Sequence, residues 1–241
     1  MPHFSDFGLL HSIEKTLKAK SFVKPTEIQT DVIPMMMGGQ SVVGVAETGS
    51  GKTLSFALPI LHHLKQLEIE GGPVEKVRTP RAVVMTPTRE LGEQVAKVLK
   101  VFTHDTRLRV RAALGGMPLE QSRRNVEGPF EILLATPGRL VHLLQKNLVH
   151  LSDVRILVFD EADQMLDENF LQDSQLIVGA CPQDVQLALF SATISEQVQN
   201  LINSLFSKAE VIRTAGSGNF VETLTTENVT VKDGKRWIYF E

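Results

Sequence analysis

One rhythm constrains this chain more than any other feature. A short, unbroken apolar run is followed by a polar turn and then by a stretch with helical spacing, and the pattern repeats along most of the length. The apolar runs are Val42–Val45, Ala82–Met85, residues 110–114, Ile132–Ala135, Ile156–Phe159 and residues 187–190. Most are continuous rather than alternating, which predicts strands buried on both faces. Between them, residues 53–67 place Leu54, Ala57, Leu58, Leu61 and Leu64 on one helical face. Residues 91–102 do the same with Leu91, Val95, Val98, Leu99 and Phe102. Pro137 suits the first turn of a helix opening after Thr136, where its missing N–H costs nothing. Strand and helix in alternation imply right-handed crossovers, hence an α/β three-layer sandwich: a mostly parallel sheet with helices on both faces.

The pattern sets expected boundaries. Residues 1–40 form a helical prefix ending at Gly38-Gly39, and residues 41–213 carry the alternating core. Residues 70–80, with Gly71, Gly72, Pro73 and Pro80, are expected to be an exposed loop. A turn-rich break opens at Thr214, and residues 224–231 alternate like a lone strand, so residues 214–241 are expected to be a linker and the start of a further unit that they cannot close alone.

Composition removes several classes. With 42% hydrophobic and 22% charged residues, the chain is neither fibrous nor disordered as a whole. No apolar run is long enough to span a membrane, and the N-terminus lacks a basic start followed by an apolar stretch. The single Cys181 excludes an intramolecular disulfide and favours a reducing compartment, cytoplasmic or nuclear. With no partner base nearby in sequence, it is expected to be an inert thiol. The seven His residues show no metal-ligand spacing, and His62 and His63, being adjacent, cannot share one helical face. A net charge of −3 means that charge attraction alone would not drive binding to nucleic acid.

The clearest chemistry lies in Ala46-Glu47-Thr48-Gly49-Ser50-Gly51-Lys52-Thr53, which follows an apolar run and opens a helix. Gly49 and Gly51 let backbone N–H groups, including those of Thr48 and Ser50, wrap phosphate oxygens with no Cβ in the way. The helix N-terminus adds partial positive charge. Lys52 can reach the outer phosphates and the Thr53 hydroxyl can bind Mg²⁺. Such a loop needs an acidic partner, and Asp160-Glu161 caps the run Ile156–Phe159 at the end where ligands of open α/β sheets sit. Asp160 is placed to hold Mg²⁺, through water, and Glu161 to orient an attacking water for phosphoryl transfer. Acidic capping of a following helix would be the plain alternative.

These residues and several others together resemble the DEAD-box family of ATP-dependent RNA helicases. Asp160-Glu161-Ala162-Asp163 spells the family signature. Pro87-Thr88-Arg89-Glu90-Leu91, Gly115-Gly116, Thr136-Pro137-Gly138-Arg139 and Ser191-Ala192-Thr193 are similar to further family motifs, in the family order. The stretch from Phe22 to Gln29 resembles the adenine-reading Q motif, and Phe4 its isolated upstream aromatic. The family form of the phosphate loop also begins with Ala, as here at Ala46. Three positions depart from the usual pattern: Ser21 stands for Gly, Glu27 for Pro and Gly92 for Ala.

The resemblance implies a RecA-like P-loop NTPase lobe covering about residues 4 to 213, with ATP and Mg²⁺ as cofactors. Gln29 would pair with adenine and Phe22 stack on it, with core packing as the alternative for Phe22; Phe4 would be a packing support. Pro87, Thr88, Arg89, Gly115, Gly116, Thr136, Pro137, Gly138 and Arg139 would hold RNA by phosphate and sugar, with little sequence specificity. In the alternative, Arg89 pairs locally and Thr136 only caps a helix. Ser191, Thr193 and Asp163 would couple nucleotide state to unwinding through hydrogen bonds. Arg107, Arg109, Arg111, Arg123 and Arg124 are expected to be a solvated face, with recruitment for RNA as the alternative. The implied partners are RNA and a second RecA-like lobe of the same protein, in a monomer without membrane attachment, and little turnover is expected of these 241 residues alone. An ATP-gated RNA clamp with little unwinding would share every motif.

Overall fold

The computed structural model describes residues 2–165 and 169–215. A short 3-10 turn at Phe4–Phe7 leads into α1 (His11–Ala19) and α2 (Glu27–Met37). Then strands and helices alternate: β1 (Val42–Val45), α3 (Lys52–Ile69), β2 (Ala82–Met85), α4 (Arg89–Thr106), β3 (Val110–Ala113), α5 (Leu119–Asn125) and β4 (Ile132–Ala135). They continue as α6 (Pro137–Gln145), β5 (Ile156–Phe159), α7 (Phe170–Gly179), β6 (Gln186–Ser191), α8 (Glu196–Leu205) and β7 (Glu210–Arg213). The strands form one sheet in the order β3-β4-β2-β5-β6-β1-β7. Every pairing is parallel, with Val42 opposite Ala188 and Val45 opposite Ser191 on one side of β1, and Val42 opposite Glu210 on the other. The mostly parallel sheet expected from sequence is wholly parallel among the described residues.

Strand side chains alternate between two cores, because the period of a strand is two. Val42 and Ala46 join Ile13, Leu17, Ile28, Ile33, Phe56 and Phe102 on the face covered by α1 to α4. Val43 and Val45 join Leu140, Phe159, Phe170, Val198 and Leu201 on the opposite face, covered by α5 to α8. The prefix helices therefore share the core of β1 and α3. His62 of α3 fastens them further, its Nδ1 accepting the Leu10 backbone N–H at 3.2 Å. Burial and the neighbouring His63 hold the His62 ring below the usual imidazole range, as that acceptor role requires.

Three strands differ from the expectation, β3 only by ending at Ala113 rather than at residue 114. β7 has no apolar run to announce it, since Glu210, Val211 and Arg213 are exposed on the sheet edge. β6 begins one residue earlier, at Gln186, whose buried amide donates to the carbonyls of Met36 and Gln40 at 3.0 and 2.7 Å. The loop over residues 70–80 carries no helix or strand, as expected.

Gly92 has a local cause. It lies in the first turn of α4, where Gly costs about 1 kcal/mol against Ala. A Cβ there would come within 2.9 Å of Thr86 Oγ1 and closer still to the Leu114 side chain, which fills the space. Gly92→Ala is therefore expected to lose about 1–3 kcal/mol in urea unfolding, with part recovered when Leu114→Val is added. Equal or higher stability of the single variant would show that Leu114 moves aside freely.

Candidate nucleotide and nucleic-acid site

β1 and β5 flank β6, so the loops leaving their C-terminal ends are neighbours on one rim of the sheet. The loop after β1 turns through Gly49 (φ 84°) and Gly51 (φ 95°), a region open to Gly without a steric penalty. Ser50 Oγ donates to the Glu47 carbonyl at 2.7 Å, and the Ala46 N–H donates to the Ser191 carbonyl at 3.1 Å, which pins the loop to β6. Lys52, the first residue of α3, is buried. Its Nζ donates to the carbonyls of Ala46 at 2.7 Å and Glu47 at 3.2 Å, and lies 3.6 Å from Glu161 Oε1. The loop after β1 and the acidic corner are thus joined by one ion pair.

Asp160 follows β5 and is 5% exposed. Its N–H is tied to the Met85 carbonyl at 2.9 Å, but its Oδ1 is buried without a partner. Burial first, and Glu161 second, push its carboxyl up to about 7, with Lys52 opposing them. The corner is short of positive charge, and an orphaned carboxylate oxygen facing that deficit suits a hard divalent cation with oxygen ligands. Thr53 follows Lys52 in the first turn of α3. Glu161 sits at φ 56°, ψ 49°, a left-handed conformation that costs a non-Gly residue on the order of 1 kcal/mol. The strained residue opens a 3-10 turn, Ala162–Gln164.

That turn reaches β6. Asp163 Oδ2 accepts from both the N–H and the Oγ1 of Thr193, each at 3.0 Å. Ser191 Oγ donates to the Thr193 carbonyl at 2.6 Å. All three residues expected to couple are in one hydrogen-bonded chain, with Ser191 acting on Thr193 rather than on Asp163.

Gln29 is buried at the start of α2, where its Oε1 accepts the Thr26 N–H and its Nε2 donates to the Gly51 carbonyl, both at 3.0 Å. Its amide therefore bridges the Q-like motif to the glycine-rich loop after β1, and both ends are engaged within the protein. Phe22 is 43% exposed, which removes core packing as its role. It lines a hollow of about 110 Å³ with Leu17 and Val23, floored by the buried Phe4.

Further along the same rim lies an open trough of about 590 Å³. Pro87, Thr88 and Arg89 enter it after β2, Gly115 and Gly116 after β3, and Thr136, Pro137, Gly138 and Arg139 after β4. The nine residues expected to hold RNA are all in its wall. Several are already engaged. Thr88 Oγ1 caps α4 by accepting the Leu91 N–H at 3.3 Å. Thr136 Oγ1 accepts the Gly115 N–H at 3.0 Å and does not cap α6. Arg139 donates to the Met117 carbonyl, and Arg89 pairs with Glu93 at 2.8 Å while staying half exposed.

A sequence profile described as the DEAD/DEAH box helicase family matches residues 26–201. The chain belongs to that family. It is 34% identical to the RNA helicase CrhR of Synechocystis sp. over 87% of its own length and 40% of that protein. It is 36% identical to the ATP-dependent rRNA helicase RRP3 of Encephalitozoon cuniculi, over 88% of the chain and 51% of that protein. A crystal structure of a DEAD box protein from the hyperthermophile Methanococcus jannaschii superposes with a TM-score of 0.77 at 31% identity, covering 88% of this chain and 55% of that one. The chain thus spans about half or less of the curated relatives it matches.

In this DEAD-box chain the structure also brings in residues that the motif pattern passed over. Gln164 and Met165 line the trough, as does Glu90, a motif residue to which no role was assigned. The departure at Glu27 has a contact of its own, its Oε1 accepting the Ala215 N–H at 3.1 Å. Arg109 is not simply solvated: its guanidinium reaches the buried Glu131 at 2.5 Å and its N–H donates to the same carboxylate at 2.6 Å. Arg107, at φ 58°, ends α4. Burial pushes the Cys181 thiol up to about 12, which leaves it without thiolate character. No helix among the described residues is long and apolar enough to cross a membrane. The segment beyond Ala215, expected to hold a linker and a first strand, lies outside the described residues.

The state of Asp160 makes a stability prediction. The folded chain keeps its proton up to about pH 7, whereas an unfolded Asp loses it near 3.8. The contribution is therefore present at low pH and lost as pH rises through about 7, with the charged form costing on the order of a few kcal/mol. Asp160→Asn is expected to raise the melting temperature of the nucleotide-free chain more at pH 8 than at pH 5. An equal shift at both pH values would contradict the assignment.

Proposed function

We propose that this chain is the nucleotide-binding lobe of an ATP-dependent RNA helicase, which grips an RNA backbone and couples ATP hydrolysis to local strand separation. The observation that carries it is the 3.6 Å contact of Lys52 with Glu161 on the same rim as a trough walled by Thr88, Arg89, Gly116, Thr136 and Arg139. In this reading the Lys52 ammonium exchanges the Ala46 and Glu47 carbonyls for phosphate oxygens. Thr53 and Asp160 hold Mg²⁺, which when bound neutralises charge on the phosphate oxygens. Glu161 orients the attacking water and takes up its proton. Thr48, Gly49, Ser50 and Gly51 supply backbone N–H groups to the triphosphate, and Gln29 and Phe22 receive the adenine.

The trough offers hydroxyls, N–H groups and two arginines, which suit phosphate and sugar rather than base edges, so sequence specificity is small. Transition-state stabilisation in phosphoryl transfer often needs an arginine from outside the P-loop lobe. We therefore assign full activity to this lobe acting with a second RecA-like lobe, as a monomer, in a reducing compartment. Partial coverage of longer relatives is consistent with that arrangement.

In the intact protein, Glu161→Gln is expected to lower RNA-stimulated ATP turnover about 100-fold or more while nucleotide still binds. Lys52→Ala is expected to weaken nucleotide binding as well as turnover. Turnover and binding are read by phosphate release and by a fluorescent nucleotide. Normal turnover in Glu161→Gln would remove the catalytic assignment.

A further inference from the structure

Resting on the function proposed above, we infer that Gln164 is a positioning residue that links occupancy of the RNA trough to the orientation of Glu161. Gln164 is exposed and lines the trough. Its Nε2 also donates to Glu161 Oε2 at 3.4 Å. The other oxygen of that carboxylate, Oε1, faces Lys52 Nζ. One side chain therefore touches both the trough and the acidic corner.

Local geometry makes the link. Glu161 in its left-handed conformation opens the 3-10 turn, and the Gln164 N–H closes it on the Glu161 carbonyl at 3.0 Å. The Gln164 amide is thereby brought back to the Glu161 carboxylate, 3.4 Å away. The neighbouring residue of the turn, Asp163, is fixed to Thr193, which holds the turn against β6. Gln164 is then the part of the turn left with solvent on one side and Glu161 on the other. At 3.4 Å and exposed, the bond is weak, as a contact that is to tighten on ligand binding must be.

A phosphate or ribose in the trough would take the space into which the amide can swing and would press it onto Glu161. This fixes one carboxylate oxygen by the amide and leaves the other to the water and Lys52. Positional restraint of a general base by such a contact acts on turnover rather than on RNA affinity.

The test uses the intact protein with Gln164→Glu, which keeps the shape and removes the donor, and Gln164→Arg, which keeps a donor of greater reach. ATP turnover is measured with and without a poly(U) oligonucleotide, and oligonucleotide affinity is measured separately by fluorescence anisotropy. The expected result is a fall of about tenfold in the ratio of stimulated to unstimulated turnover at saturating RNA for Gln164→Glu, with retention for Gln164→Arg. An unchanged ratio in both variants would overturn the inference. So would a loss that vanishes at saturating RNA, which would make Gln164 a plain RNA contact. Absence of any RNA stimulation in the unsubstituted protein would instead defeat the proposed function itself.

Discussion

A buried ammonium needs acceptors on every side, and Lys52 obtains them from two loops that are far apart in sequence. Taking a charge out of water without partners costs several kcal/mol, so the Ala46 and Glu47 carbonyls and the Glu161 carboxylate are conditions for Lys52 being where it is. Across the same corner Asp160 has the opposite problem, a carboxylate oxygen with no partner and a carboxyl pushed up to about 7. The site holds an excess of acidic groups that one lysine does not balance. Under the proposed function, a metal-bound triphosphate would bring oxygens for Lys52 and a cation for Asp160, and so would relieve both conditions at once.

The sheet makes this corner unavoidable. Because every strand is parallel, every loop that leaves a strand C-terminus lies on one rim. Those after β1, β5 and β6 are adjacent and form the acidic corner, while those after β2, β4 and β3 form the trough. The turn at residues 162–164 lies between the two groups and contacts both, through Thr193 on one side and the trough on the other. The strain at Glu161 is the cost of folding the chain back there.

Much of this was legible because its causes are local. Continuous apolar runs can be strands only if both faces are covered, which gave β1, β2, β4 and β5 and the layers around them. Gly49 and Gly51 before Lys52 announce a tight turn from strand to helix, and the backbone does pass through left-handed φ at both. β7 escaped notice because an edge strand needs only one partner and can carry Glu210 and Arg213 in water. The engagement of Gln29, Thr136 and Arg139 inside the protein was equally hidden: residue types show what a side chain can bond, but only packing shows what it does bond. Arg109 is the plainest example, because its partner Glu131 lies in another loop. Gly92, a departure without apparent cause in the sequence, follows from the position of Leu114.

A crystal structure of the chain soaked with Mg²⁺ and a non-hydrolysable ATP analogue tests the account most directly. It should show Lys52 Nζ released from the Ala46 carbonyl and bonded to a phosphate oxygen, with the metal between that phosphate and Asp160. A nucleotide bound away from the β1 loop, or a metal remote from Asp160 while Lys52 keeps its present carbonyl partners, would contradict it.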